Sequence, residues 1–180
     1  MKLPMIIFSL AMAAVTAHAA ESLEVDQTRS RIQVDIKATG HWFTSELKGY
    51  QVSASGDQST LAPASFQLDW NFKKLDSDDK SRDAKMVDWL GGGEPKGTFK
   101  WIKSWKEKDG SDRAMGSLTI HGVTKTISFP YKVEKAGDWV TISGQATLDY
   151  KDFGLPVIRM TFMTVDPKLL VRFHVVGKVK

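Results

Sequence analysis

The sequence predicts an all-β domain, an antiparallel sheet closed as a barrel or stacked as a sandwich, with one short α-helix. Three observations predict it. Apolar residues alternate with polar ones in run after run, the pattern of antiparallel strands with one wet face. Glycine turns separate the runs. Only one segment, residues 78–90, carries a helical period.

The chain opens on a segment that stands apart from this pattern. Lys2 supplies a positive start, residues 5–15 are nearly all apolar, and Ala17-His18-Ala19 fits a small-x-small cleavage site. The apolar run is shorter than the roughly 20 residues that span a bilayer. Residues 1–19 therefore read as a cleaved export signal rather than an anchor, and residues 20–180 as one barrel domain.

In the domain, Ile32, Val34 and Ile36 alternate with Arg31, Gln33, Asp35 and Lys37, and Tyr50, Val52 and Ala54 form the next run. Phe66, Leu68, Trp70 and Phe72 alternate with Gln67, Asp69 and Asn71. The helix follows, with Ser77 as N-cap, Asp78 and Asp79 in the first turn, and Gly91 as the stop. Its apolar stripe is Ala84, Val87 and Leu90, with Met86 beside it. Gly91-Gly92-Gly93 lacks the residues of a phosphate loop and reads as a plain loop. Residues 116–125 read as strand, turn and strand: Leu118 and Ile120 alternate with Ser117 and Thr119, and His121-Gly122 makes the turn. Beyond it Val123, Ile127, Phe129, Tyr131 and Val133 share one parity, which Lys125 interrupts. Val140, Ile142, Gly144, Ala146, Leu148 and Tyr150 share a face, as do Leu169, Val171, Phe173 and Val175.

Composition narrows the function. There is no cysteine, which excludes disulfides, thiolate metal sites, a cysteine nucleophile and a lipobox anchor. A disulfide-free exported domain fits the bacterial periplasm better than an animal secretome. The chain has a net charge of +4, and losing residues 1–19 removes one lysine and no acid. A surplus that small does not point to nucleic acid.

The block Gly116-Ser117-Leu118-Thr119-Ile120-His121-Gly122-Val123-Thr124-Lys125 resembles the G-x-L-T-I-x-G-V-T-K hairpin of the YceI-like proteins. Weaker matches extend the resemblance along the chain. They are Ile32-Gln33-Val34-Asp35-Ile36 followed by Gly49-Tyr50, the helix Arg82-Asp83-Ala84-Lys85-Met86, and Asp152-Phe153-Gly154. The run from Trp89 to Phe99 departs from the family pattern through its glycine triplet. The resemblance implies a lipocalin-like barrel that holds a polyisoprenoid lipid in an elongated apolar tunnel, with no cofactor.

On that implication the barrel interior is formed by Phe66, Leu68, Trp70, Val140, Ile142, Gly144, Ala146, Leu148 and Phe173. The small pair Gly144 and Ala146 leaves space on an inward face. A ligand fills it, as eight-stranded barrels allow, or large neighbours such as Trp70 or Phe173 do. The segment with Trp101, Lys103, Trp105 and Lys106 interleaves aromatics and lysines. It suits a headgroup rim or a transient membrane-surface contact, and equally a sheet edge kept soluble by lysines. Catalytic signals are poor. His41, His121 and His174 are far apart without metal-ligand spacing, and no nucleophile elbow is present. His174 falls on the outward parity, and Asp149 and Asp152 flank a turn. The leading expectation is a periplasmic carrier of an isoprenoid lipid of quinone or prenyl pyrophosphate type. The alternatives are an exported enzyme acting on an amphipathic lipid and a ligand-free, stress-related barrel.

Overall fold

The computed structural model describes residues 21–57, 61–160 and 162–180. The expected signal, residues 1–19, and its cleavage site lie outside them. In chain order the elements are β1 (Glu21–Val25), β2 (Arg31–Ala38), β3 (His41–Leu47), β4 (Tyr50–Gly56), β5 (Pro63–Asn71), β6 (Leu75–Asp76), α1 (Lys80–Trp89), β7 (Lys96–Lys106), β8 (Asp112–Ile120), β9 (Val123–Ala136), β10 (Trp139–Asp149), β11 (Arg159–Met160), β12 (Met163–Thr164) and β13 (Lys168–Val179). Short 3-10 turns occupy Phe72–Lys74 and Tyr150–Phe153.

Eight strands form a closed antiparallel barrel in the order β1-β4-β5-β7-β8-β9-β10-β13, with β1 returning to β13. Closure removes the exposed edges of a long sheet. Of the two expected architectures the barrel is the one formed, as the family resemblance implied. β13 is long enough to serve two partners on one side. Leu170–His174 pairs with β2, and Gly177–Val179 pairs with β1. Buried Ser30 fills the gap between them: its Oγ accepts from Val176 N at 2.9 Å and donates to Asp26 O at 2.7 Å. β2, β3 and β6 extend the wall beside α1.

The hairpin β8–β9 reverses at His121-Gly122, with Ile120 opposite Val123. Both turn residues have positive φ, 51° and 74°. Two left-handed residues define the type I′ turn, whose twist suits a two-residue hairpin. Glycine takes that conformation without strain, and a β-branched residue does not. Gly122→Val should therefore lower stability by about 1–3 kcal/mol, read as a fall in the urea midpoint. An unchanged midpoint would mean that the turn has other geometry.

The helix starts later than the sequence suggests. Asp79, not Ser77, is the N-cap, and its side chain accepts from Ser81 N and Arg82 N. Asp78 takes φ 61°, which turns the chain into the helix. Ser77 is buried and braces the segment before the helix instead. It donates through N and Oγ to Asp83 Oδ1, and accepts from Arg82 at its O and Oγ. At the other end Gly91, with φ 99°, stops the helix as expected. The expected stripe is also displaced. Met86, Trp89 and Leu90 pack against the main core, whereas Ala84 is exposed. The Trp89 indole donates to Pro156 O at 3.0 Å and stands edge-on to Tyr150, tying α1 over one end of the barrel.

Candidate functional site

The inward parities of the strands converge on one cavity of about 600 Å³ that runs through the barrel. Its wall is almost wholly apolar. Small-molecule sites span roughly 300–1,000 Å³. The cavity reaches exposed residues at both ends, Ser81 and Lys85 on α1 at one and Glu21 and Ser22 at the other.

Eight of the nine expected interior residues line this cavity: Phe66, Leu68, Trp70, Val140, Ile142, Ala146, Leu148 and Phe173. Gly144 does not. It faces inward, but a Cβ there would lie 2.6 Å from Cζ of Phe173, its cross-strand partner. Of the two occupants that the sequence left open beside Gly144, a ligand or a large neighbour, the Phe173 ring is the one found there. The same device recurs twice. Trp70 lies over Gly97, and Phe99 lies over Gly116. Each glycine lets a large ring lie against the wall instead of standing in the lumen. Phe66, Phe99, Phe129 and Phe173 follow one another across the interior at centroid distances of 6.2, 5.7 and 5.5 Å.

The expected rim divides. Trp101 lines the cavity and meets Tyr131 edge-on. Lys103, Trp105 and Lys106 do not line it. For Lys103 and Trp105 the cause is a bulge: Trp101 pairs with Gly116 and Lys103 with Met115, so Ile102 is an extra residue. After it the parity inverts, and Lys103 and Trp105 pair with the outward positions Met115 and Arg113. Ile102 itself is half exposed. Lys106 is engaged with Asp112 at 2.8 Å, the Trp105 indole donates to Glu107 at 2.9 Å, and the Lys103 ammonium sits over the Trp105 ring.

Sequence reasoning missed the contribution of α1 and its neighbours. Arg82, Lys85, Met86 and Trp89 line the cavity beside His41 and Phe43. The signal was present in the i, i+4, i+7 spacing of Arg82, Met86 and Trp89, masked because an arginine begins it. Arg82 is held by its bonds to Ser77 and by Phe43, whose ring lies 4.0 Å below the guanidinium carbon. The helix N-terminal amide of Arg82, foremost, holds the Asp79 carboxyl below its usual range. Burial pushes the Tyr150 hydroxyl up; it donates to Val165 O at 3.1 Å. The three histidines of the described residues form no metal-binding group: His41 lines the cavity, His121 is in the hairpin turn, and His174 is exposed on the outer face, as its parity suggested. Among the described residues no cluster of His, Asp or Glu could hold a metal ion.

Comparison with known proteins agrees with this architecture. A family model described as the YceI-like domain matches residues 23–177. A UPF0312 protein of Vibrio vulnificus is 30% identical over 176 residues, covering 91% of this chain and 92% of its own. Among solved structures, Burkholderia cenocepacia BcnA superposes with a TM-score of 0.72 at 19% identity, over 85% of this chain and 99% of its own. A polyisoprenoid binding domain from Saccharophagus degradans, implicated in plant cell wall breakdown, superposes with a TM-score of 0.66 at 12% identity, over 90% and 100%.

Proposed function

The chain belongs to the YceI-like domain family, and from that premise we propose that it is an exported carrier that holds an isoprenoid lipid in the barrel lumen. One observation carries the reading: the apolar cavity of about 600 Å³ that runs along the barrel and reaches exposed residues at both ends. Such a lumen offers a long apolar chain burial and almost no hydrogen bonds. The driving force is about 0.8 kcal/mol per buried CH₂, set against roughly 4–15 kcal/mol of freedom lost on association. The wall reads shape rather than polarity, so a prenyl chain is held by its bulk, and quinones and prenyl phosphates share that chain. The likeness to a polyisoprenoid binding domain supports the same ligand class. No bond is made or broken in this role.

The periplasm is the proposed location, reached through the signal in residues 1–19. Native mass spectrometry of protein released from the periplasm tests both parts. The expected result is a chain of residues 20–180 carrying an apolar adduct that organic solvent extracts. Protein that arrives bare and takes up no isoprenoid alcohol on titration would overturn the carrier. Full-length chain found only in the membrane fraction would overturn the export route.

A further inference from the structure

Among the described residues three large hydrophobic side chains stand exposed: Trp42 at 67%, Phe162 at 92%, and Ile102 on the β7 bulge. Scattered singly, such residues need no explanation. Trp42 and Phe162 are not scattered. Trp42 follows the β2–β3 turn, and Phe162 sits in the turn between β11 and β12. The two hairpins are fastened together. Ala38 bridges Val165, Thr39 N donates to Thr164 O at 3.0 Å, and Thr164 N donates to Thr39 Oγ1 at 3.1 Å. The same antiparallel register brings Phe162 level with the β2–β3 turn. The inner sides of the two hairpins line the cavity, through His41 and Phe43 from one and Ile158 and Met163 from the other. Trp42, on β3 between His41 and Phe43, and Phe162 do not line it, and neither packs on the core.

The charge on these hairpins is one-sided. Residues 37–43 and 153–165 contain Lys37, Arg159 and His41 but no Asp or Glu. Lys37 and Arg159 are exposed and join no salt bridge among the described residues. The Lys37 ammonium lies 5.3 Å from the centre of the Trp42 ring. Helix α1 adds nothing to the balance, because Lys80, Arg82 and Lys85 offset Asp79, Asp83 and Asp88. Of the acids that flank the two segments, Asp35 is tied to Arg172 at 2.7 Å, Asp166 accepts from Lys168 N at 2.9 Å, and Asp152 lies seven residues before Arg159. Exposed rings with cations beside them match the interface of an anionic bilayer: the rings sit at headgroup depth and the cations meet the phosphates. A second copy fits less well, since a two-fold contact would bring Lys37 and Arg159 against the same residues of the other chain.

We propose that the paired hairpins dock on an anionic lipid bilayer, with Trp42 and Phe162 as anchors and Lys37 and Arg159 beside them. Docking there sets the α1 end of the cavity at the bilayer surface, so that cargo passes between membrane and lumen without crossing water. The docking surface stands on its own; the route of the cargo rests on the carrier reading.

The test is flotation of protein released from the periplasm with vesicles of phosphatidylcholine and phosphatidylglycerol. Trp42→Ser with Phe162→Ser should weaken binding at least about tenfold, through lost ring insertion. Lys37→Gln with Arg159→Gln should weaken it about tenfold at low salt and little at high salt. Lys103→Gln with Lys106→Gln should leave it unchanged. Quenching of tryptophan fluorescence by bromine-labelled lipid locates the contact: Trp42→Phe, which keeps an apolar ring, should still float but lose most of the quenching. The serine changes should leave the urea midpoint and the uptake of isoprenoid alcohol in free solution unchanged. Equal flotation of the serine variant and the parent overturns the proposal, as does undiminished quenching in Trp42→Phe. Weakening by the Lys103 and Lys106 changes instead would put the bilayer on another wall and overturn it too. Self-association that the serine changes abolish, with no vesicle binding, would make the patch an interface between copies. Loss of isoprenoid uptake in solution by the serine variant would mean that the rings shape the mouth rather than meet a membrane. A parent that floats but takes up no isoprenoid removes the carrier reading alone, and the docking surface stands.

Discussion

Ala146→Trp should abolish uptake of a long lipid while the barrel still folds. Ala146 lies on β10 opposite Val171, and both line the cavity. It is the smallest side chain on that face between Ile142 and Leu148 that points into open lumen, since Phe173 covers the place beside Gly144. An indole there occupies space that the ligand needs. Affinity for an isoprenoid alcohol should fall at least tenfold, or about 1.4 kcal/mol. Overpacking a filled core costs about 1–3 kcal/mol; a ring that enters an open cavity should cost less. Tryptophan fluorescence titration gives the first quantity and urea unfolding the second. A variant that unfolds would show that position 146 is packed core. A variant that folds and binds normally would show that the lipid does not pass Ala146.

The contrast between Ala146 and Gly144 shows what the sequence could reveal. Both sit on the same parity of one strand, and alternation alone assigns them the same role. Alternation places a residue on a face, but it does not say which neighbour lies over it. That depends on register between strands distant in sequence, here Gly144 against Phe173. The strand parities, the His121-Gly122 turn and the stop at Gly91 were legible because each depends on local backbone preference. The bulge at Ile102 was not. Aromatics and lysines continue to alternate through Trp101, Lys103 and Trp105, and nothing local marks the residue that inverts the faces. The start of α1 was misplaced because Ser77, Asp78 and Asp79 are all competent caps. Tertiary contacts decided among them, by burying Ser77 against Asp83 and Arg82. For the same reason the inward face of α1 went unread: Arg82 interrupts the apolar stripe, and only its packing on Phe43 shows that this face turns inward.

Gly116→Ala should destabilise the barrel more than Gly97→Ala, although both glycines lie beneath an aromatic ring. At Gly97 the nearest atoms an added Cβ would meet all belong to the Trp70 indole, with Cζ2 at 2.1 Å. That ring is at the far end of a side chain, and the cavity beside it gives it somewhere to go. At Gly116 the Cβ would meet the Phe99 ring at 2.2 Å and also the Lys100 carbonyl oxygen at 2.7 Å. The carbonyl belongs to β7, paired directly with β8, so it cannot move without breaking the ladder. Gly116→Ala should therefore cost about 1–3 kcal/mol, seen as a lower urea midpoint with lipid affinity secondary. Gly97→Ala should show the reverse balance: a smaller shift in midpoint and a clear loss of isoprenoid affinity, because the displaced indole now stands in the lumen. Urea unfolding and lipid titration of the two variants side by side make the comparison. If Gly97→Ala proves the more destabilising and binds lipid normally, the rings do not move into the cavity, and the glycines serve strand packing rather than the bore of the tunnel.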